Sequence, residues 1–183
     1  MDKETLVQIV ATGEKTLSSS KDEIIKEAKR IEESTLYSAK SHFTATRMWG
    51  NFHIIIGLLI SVLSAIDAAF VFSEHHYTLV GYLSLLVIVL SGIATFLNPN
   101  DRAGNHKTAG DKYYALNNRA RVFWTIECWE QGVGDEILTR GLKDLSESKI
   151  KVNSDSPQIP RWAYLLAKRG IEAGEADFEV DKK

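Results

Sequence analysis

Proline, cysteine and surplus positive charge are all scarce in this chain of 183 residues, and each scarcity excludes something. The first of three prolines is Pro99, so nothing before it forces a helix to break. The single cysteine, Cys128, rules out an intrachain disulfide or a cysteine metal cluster. A net charge of −2 does not supply the strongly basic face of general nucleic-acid binders, so no direct nucleic-acid partner is expected. The opening stretch MDKETLVQIVATGEK has neither the basic region nor the continuous apolar core of a cleavable signal peptide. Enzyme signatures are missing as well: there is no GxGxxG, Walker loop, HExxH or GxSxG. No catalytic residue, cofactor or metal is therefore expected. Strand-like alternation, internal repeats and low-complexity tracts are absent too.

What is present is a pair of apolar runs. FHIIIGLLISVLSAIDAAFVF occupies 52–72 and YTLVGYLSLLVIVLSGIATFL occupies 77–97, joined by Ser73-Glu74-His75-His76. A helix of about 21 residues rises ~31 Å, the thickness of a bilayer's hydrocarbon core. Soluble helices rarely stay apolar all round for this length, so a transmembrane hairpin is favoured over a buried one. Lys40 and Arg47 precede the first run, and Arg102, Lys107 and Lys112 follow the second, whereas the connecting loop has no Lys or Arg. This distribution predicts cytoplasmic termini and an outer hairpin tip, with the first run as its own insertion signal. Trp49 and Tyr77 occupy positions of interfacial aromatics.

The expected fold is an all-α membrane protein, a two-helix transmembrane hairpin with long cytosolic helical extensions. Its parts are an N-terminal segment (1–20), a cytosolic helix leading into the membrane (21–51), the hairpin (52–97) and a cytosolic helical region (98–183). Residues 2–13 read as a short helix ending near Gly13, and Ser18–Ser20 as a polar break. Ser20 and Glu23 have capping-box spacing for the long helix that follows. Ile24, Ala28, Ile31, Ala39 and Phe43 form its apolar stripe, with Leu36 beside it. Asn98-Pro99 closes the second span, and Asp101 is placed to cap a helix over 101–131 carrying Ala109, Tyr113, Leu116, Ala120 and Phe123. Ile137, Leu138, Gly141, Leu142 and Leu145 mark a shorter helix, KVNSDSPQIP (151–160) a loop, and 161–173 a last helix.

The informative polar residues lie in the spans. At about 100° per residue, His53, Gly57, Ile60, Ser64, Asp67, Val71 and Glu74 share one helix face. A carboxylate at such depth is costly unless protonated, hydrated or paired, so His53, Ser64, Asp67 and Glu74 are candidate pore-lining or intramembrane polar residues. Gly57, Ser61, Gly81, Ser84 and Ser91 are candidate helix-packing residues, since small side chains permit close approach. The bland reading of both stripes is packing alone. Covering Asp67 is expected to need neighbours beyond one hairpin, hence a homo-oligomer. His75 and His76 read as a polar loop tip, Cys128 as packing, and the His106, Lys107, Asp111, Lys112, Arg119 and Arg121 cluster as a solvated helix face.

Over roughly residues 20–170 the layout resembles the SLATT domain family of bacteria, the SMODS and SLOG-associating two-transmembrane effectors. The likeness rests on the cytosolic helix, the hairpin with its short loop, and Leu97-Asn98-Pro99 at the exit of the second span. It rests also on His106-Lys107, Tyr113-Tyr114, Leu116 and Asn118-Arg119-Ala120-Arg121. The resemblance implies an oligomeric pore-forming effector, an ion channel of antiviral defence, in the bacterial inner (cell) membrane. It would be gated by a cytosolic defence-system partner protein or a nucleotide signal. The competing expectation is a non-conducting membrane anchor or adaptor that recruits a defence enzyme. The family offers no catalytic residues to carry over.

Overall fold

The proline-free first part of the chain folds as one helix, α1 (Lys3–Phe72), 70 residues and ~105 Å long. The computed structural model describes residues 3–72 and 77–178, with side chains from residue 20 onward. The break expected at Gly13 and Ser18–Ser20 is not there, because the helix runs straight through them. A serine or glycine inside a helix costs about 1 kcal/mol or less, whereas stopping and restarting requires a second unfavourable nucleation. Ser20 and Glu23 accordingly sit in a helix interior and cap nothing.

The chain returns as α2 (Tyr77–Leu97) and α3 (Pro99–Thr125), separated by Asn98 alone. Asn98 takes the left-handed conformation, φ 41° and ψ 61°, which asparagine tolerates better than most residues. Pro99 then starts α3 at its first turn, where the missing amide hydrogen leaves no intrahelical bond unmade. The Asn98 amide still donates to Ala94 O at 3.1 Å, and its carbonyl accepts from the Arg102 amide at 3.2 Å. Asp101 takes part by accepting from the Asn98 side-chain amide rather than by capping α3 itself. Arg102 Nε donates to Leu97 O at 2.7 Å, placing positive charge on the carbonyl end of α2, while its guanidinium lies 5.2 Å from the Trp49 ring centre.

α3 packs antiparallel along α1, in one register from base to top. Lys21 lies 5.0 Å over the Trp129 ring, and the Asn117 amide donates to Glu32 O at 2.7 Å. Higher up, His42 meets His106 and Thr46 Oγ1 reaches Ala103 O at 3.4 Å. The seam is lined by buried Ala28, Ala39 and Ala45 from α1 and by Ala103, Ala109, Gly110 and Ala120 from α3. Buried Thr35 and Ser41 satisfy their hydroxyls on carbonyls of their own helix, at 2.7 and 2.6 Å.

The expected helix over 101–131 ends early. After Thr125 a short 3-10 turn (Glu127–Trp129) tucks Cys128 into the core. α4 (Asp135–Asp155) takes in the first five residues of the expected 151–160 loop, because Pro157 restricts only the residue before it. Ser156 is extended at ψ 144°. α5 (Arg161–Glu172) follows as expected and lays Ala163 and Ala167 inward. The apolar core forms where the base of α1 meets α3 and α4, through Ile24, Ala28, Ile31, Leu116, Ala120, Phe123, Cys128, Leu138 and Leu145.

Two glycine substitutions separate helix propensity from packing. A Cβ on Gly141 of α4 would fall 2.6 Å from the Phe123 ring, which is buried and cannot swing out, whereas one on Gly104 of α3 meets nothing within 4 Å. Gly104→Ala should raise the melting temperature of the detergent-solubilised protein, by up to about 1 kcal/mol of stability. Gly141→Ala should lower it, since overpacking costs about 1–3 kcal/mol against the same gain. Melting by circular dichroism checks both, and a rise for both variants would contradict the packing around Phe123.

Candidate functional site

The hairpin holds together along a narrow seam. On α1 the covered or half-covered residues of the span are Ile56, Ile60, Leu63, Asp67 and Phe70, and on α2 they are Val80, Leu83, Ser84, Val87, Leu90, Ser91, Ala94 and Leu97. The steps on α1 alternate between four and three, the average of 3.5 that makes a coiled-coil seam. Everything else in the spans is open, and α2 has no fully buried residue. Ile54, Leu58, Phe72, Tyr82, Ile88 and Phe96 are each more than half exposed. Such an apolar surface far exceeds the patches that soluble monomers leave to water, and both helices are long and apolar enough to cross a membrane.

Asp67 interrupts this seam. The Ser84 hydroxyl donates to its Oδ2 at 2.6 Å, while Oδ1 is buried and reached by no donor among the described residues. The carboxylate thus finds a partner for one of its two oxygens inside its own hairpin. Ser84 and Ser91 do lie in the helix-packing seam, half-covered. Gly57, Ser61 and Gly81 do not: all three are exposed, and a Cβ on either glycine would meet nothing within 4 Å. The reason is that the larger side chains at 3.5-residue spacing take the seam and leave the small-residue stripe facing outward. The predicted polar face likewise divides, with Ile60 and Asp67 half-covered while His53 and Ser64 are exposed. Glu74, His75 and His76 lie outside the described residues.

A second polar centre sits in the bundle, below the spans. His42 and His106 face each other across the α1–α3 seam with Nδ1 atoms 2.9 Å apart, and only 1 % and 6 % of their surfaces are exposed. Tyr113 stacks on His42 at a centroid distance of 5.3 Å and an interplanar angle of 18°. The Tyr113 hydroxyl donates to Asn153 Oδ1 of α4 at 2.6 Å. The sequence does not single out His42, and the charged neighbours of His106 suggest a solvated face for it. Of that cluster, Lys107 and Asp111 do pair at the surface, at 2.8 Å, but His106 points inward. The signal was available: His106 stands on the Ala103, Ala109, Tyr113, Leu116, Ala120 stripe that the structure buries.

Burial, and then the neighbouring His106, pushes the pKa of His42 down from 6.5 to about 4. Burial and the charge of Arg102 lower His106 as well, and burial raises Tyr113. The sign for stability follows from linkage. An unfolded chain takes up a proton at His42 near 6.5, and the folded one only near 4. The stability held by the neutral ring is therefore complete above 6.5 and is lost progressively as pH falls towards about 4.

Elsewhere the site chemistry is sparse. Cys128 is 1 % exposed, and burial raises its thiol pKa, so it packs and does not react. A groove between α1 and α5 is lined by Arg30, Glu33, Tyr37, Tyr164, Lys168 and Glu172. Its cations are paired locally, Arg30 with Glu27 at 2.8 Å and Lys168 with Glu172 at 3.7 Å, so it is no anion pocket. No three metal-ligating side chains converge among the described residues.

A double-mutant cycle tests the Asp67–Ser84 bond. Asp67→Asn retains an acceptor for Ser84, while Ser84→Ala removes the donor. The coupling between positions 67 and 84 should be about 0.6–1.7 kcal/mol, the range of interhelical hydrogen bonds in membranes, when Asp67→Leu is combined with Ser84→Ala. Unfolding by steric trapping in bicelles measures it. Strictly additive single effects would mean that the two side chains are not bonded.

Comparison with protein-family models, with curated proteins and with solved structures gives no match, so the functional reading rests on the geometry above and the sequence pattern.

Proposed function

We propose that this chain is an oligomeric membrane effector whose hairpins assemble into a pore under the control of a cytosolic signal. The observation that carries the reading is Asp67. It is the one acidic side chain within the two spans, and the described residues of the hairpin give a donor to one of its oxygens and none to the other. Intramembrane acids usually face a bundle interior or a water-filled cavity, and two helices alone enclose neither. Assembly would turn the Asp67 edge of each hairpin, with Ser64 and His53 beside it, towards a shared lumen. The outward small-residue stripe of Gly57, Ser61 and Ala68 would let hairpins approach one another. Basic flanks at Arg47, Arg102 and Lys107 favour cytoplasmic termini and a multi-pass protein of the bacterial inner membrane. The role in antiviral defence rests on the resemblance to the SLATT family.

One observation favours a second reading, a non-conducting membrane anchor or adaptor. The Ser84 hydroxyl already binds Asp67 within the chain, so the carboxylate can act as a packing group. The two readings differ in what Asp67→Asn does. For a pore, the variant should insert and assemble normally yet change conductance or cation preference in proteoliposomes, because charge is lost at nearly constant volume. With Cys128 replaced, cysteines at 60, 64, 67 and 71 should label with aqueous reagents faster than those on the opposite face. Equal labelling of both faces, or no current from assembled wild-type protein, would leave the adaptor. A reporter fused after Lys183 should be active only in a cytoplasmic form.

A further inference from the structure

The histidine pair sits on the seam that continues into the membrane hairpin. His42 precedes the first span by ten residues, and His106 follows the second by nine, so the pair lies ~15 Å below both. Two nitrogens 2.9 Å apart admit one proton between them, with one ring donating and the other accepting. His42 Nε2 is buried without a partner among the described residues. That assigns the shared proton to His42 Nδ1, because a bare acceptor is a smaller loss there than a buried N–H with nothing to receive it.

A further proton has no tolerable place in the closed seam. On His42 Nε2 it creates a buried donor and a buried charge together. On both rings it sets two N–H groups against each other. From α3 the pair is faced by Arg102 and Tyr113, and through the Tyr113 hydroxyl by Asn153 of α4 and by Ser156 just after it. On α1 itself, Lys40 turns away to Glu175 at 3.9 Å. Among the described residues no carboxylate pairs with either ring. Nothing compensates an imidazolium, so the rings can take up protons only by meeting water.

We infer that the His42–His106 pair is a proton-operated latch, which holds α1 against α3 beneath the spans when neutral and releases them there when protonated. Because α1 is unbroken and α2 joins α3 through one residue, release at this level changes the splay of both helices entering the spans. The latch does not depend on conduction. Only its effect on a current rests on the pore reading.

The test uses the full chain in nanodiscs, with Cys128→Ala and spin labels at exposed Arg47 and Asn105. If the open form binds one more proton, the ratio of the population at the long label distance to that at the short one should rise about tenfold per pH unit as pH falls from 6.5 to 4. Replacing both rings at once, His42→Phe with His106→Leu, removes donor and acceptor together and should give a distance that does not respond to pH. A flat ratio in the native pair, or an equally steep rise in the double variant, overturns the latch. Should the double variant fail to fold, imidazole Cε1–H resonances of the unmodified protein decide. A His42 midpoint well below 6.5 supports the latch, and one at 6.5 refutes it. Leakage from vesicles, read in parallel, reports on the pore separately: helix separation without leakage keeps the latch and counts against conduction.

Discussion

A single antiparallel register runs the length of this molecule, and nearly everything else depends on it. Lys21 meets Trp129, Glu32 meets Asn117, His42 meets His106, and Asp67 meets Ser84. The last pair belongs to the apolar spans and the others to the polar bundle. The pairing does not slip between them, although Asn98 breaks the returning helix. It can be kept because a single left-handed residue followed by proline changes the direction of the chain without adding length. The Ala94 hydrogen bond accepted across that point and the Arg102 contact with Leu97 and Trp49 hold the joint closed.

What changes along the register is the solvent that the outer faces are built for. In the bundle, large apolar residues such as Phe123 and Leu138 point inward and α4 and α5 cover the sides. In the spans nothing covers the sides, and large apolar residues point outward at almost every turn. The seam also changes in kind. Alanine and glycine let α1 and α3 pack tightly, so each polar group caught between them must be matched: Asn117 to a backbone carbonyl, Tyr113 to Asn153, His42 to His106. Asp67 and His42 are then places where the matching is incomplete, each with one buried polar atom that no group among the described residues reaches. Such atoms are expensive to retain, which is why they focus the functional reading.

The continuity of α1 gives the bundle mechanical purchase on the spans. A loop between them would absorb a displacement, whereas an unbroken helix carries it. The seam below the spans is held by packing of small residues and by neutral imidazoles, with ion pairs confined to the surface, as between Lys107 and Asp111. Surface pairs of this kind add little, so the strength of the seam lies in its buried contacts.

The sequence by itself determined the two apolar spans, their tight connection, the proline exit, the base of α1's apolar stripe and the start of α5, because each follows from local rules. Length and hydropathy define a span, proline geometry defines a stop, and 3.6-residue periodicity defines a face. It misjudged the start of α1, since cooperativity across Gly13 and Ser18–Ser20 outweighs weak local propensity. Only the tertiary structure decided which stripe of each span meets its partner. The small residues at Gly57, Ser61 and Gly81 and the larger ones at Ile56, Ile60 and Leu63 both repeat at helical spacing, and a helix of uniform polarity has no intrinsic inside. It also decided that Asp67 bonds Ser84 and that His42 finds His106, residues 64 positions apart in the chain. The apolar stripe marks His106 as facing inward, but which group it meets is settled only when the opposing helix is in place, and what makes this pair unusual is the burial which that helix supplies.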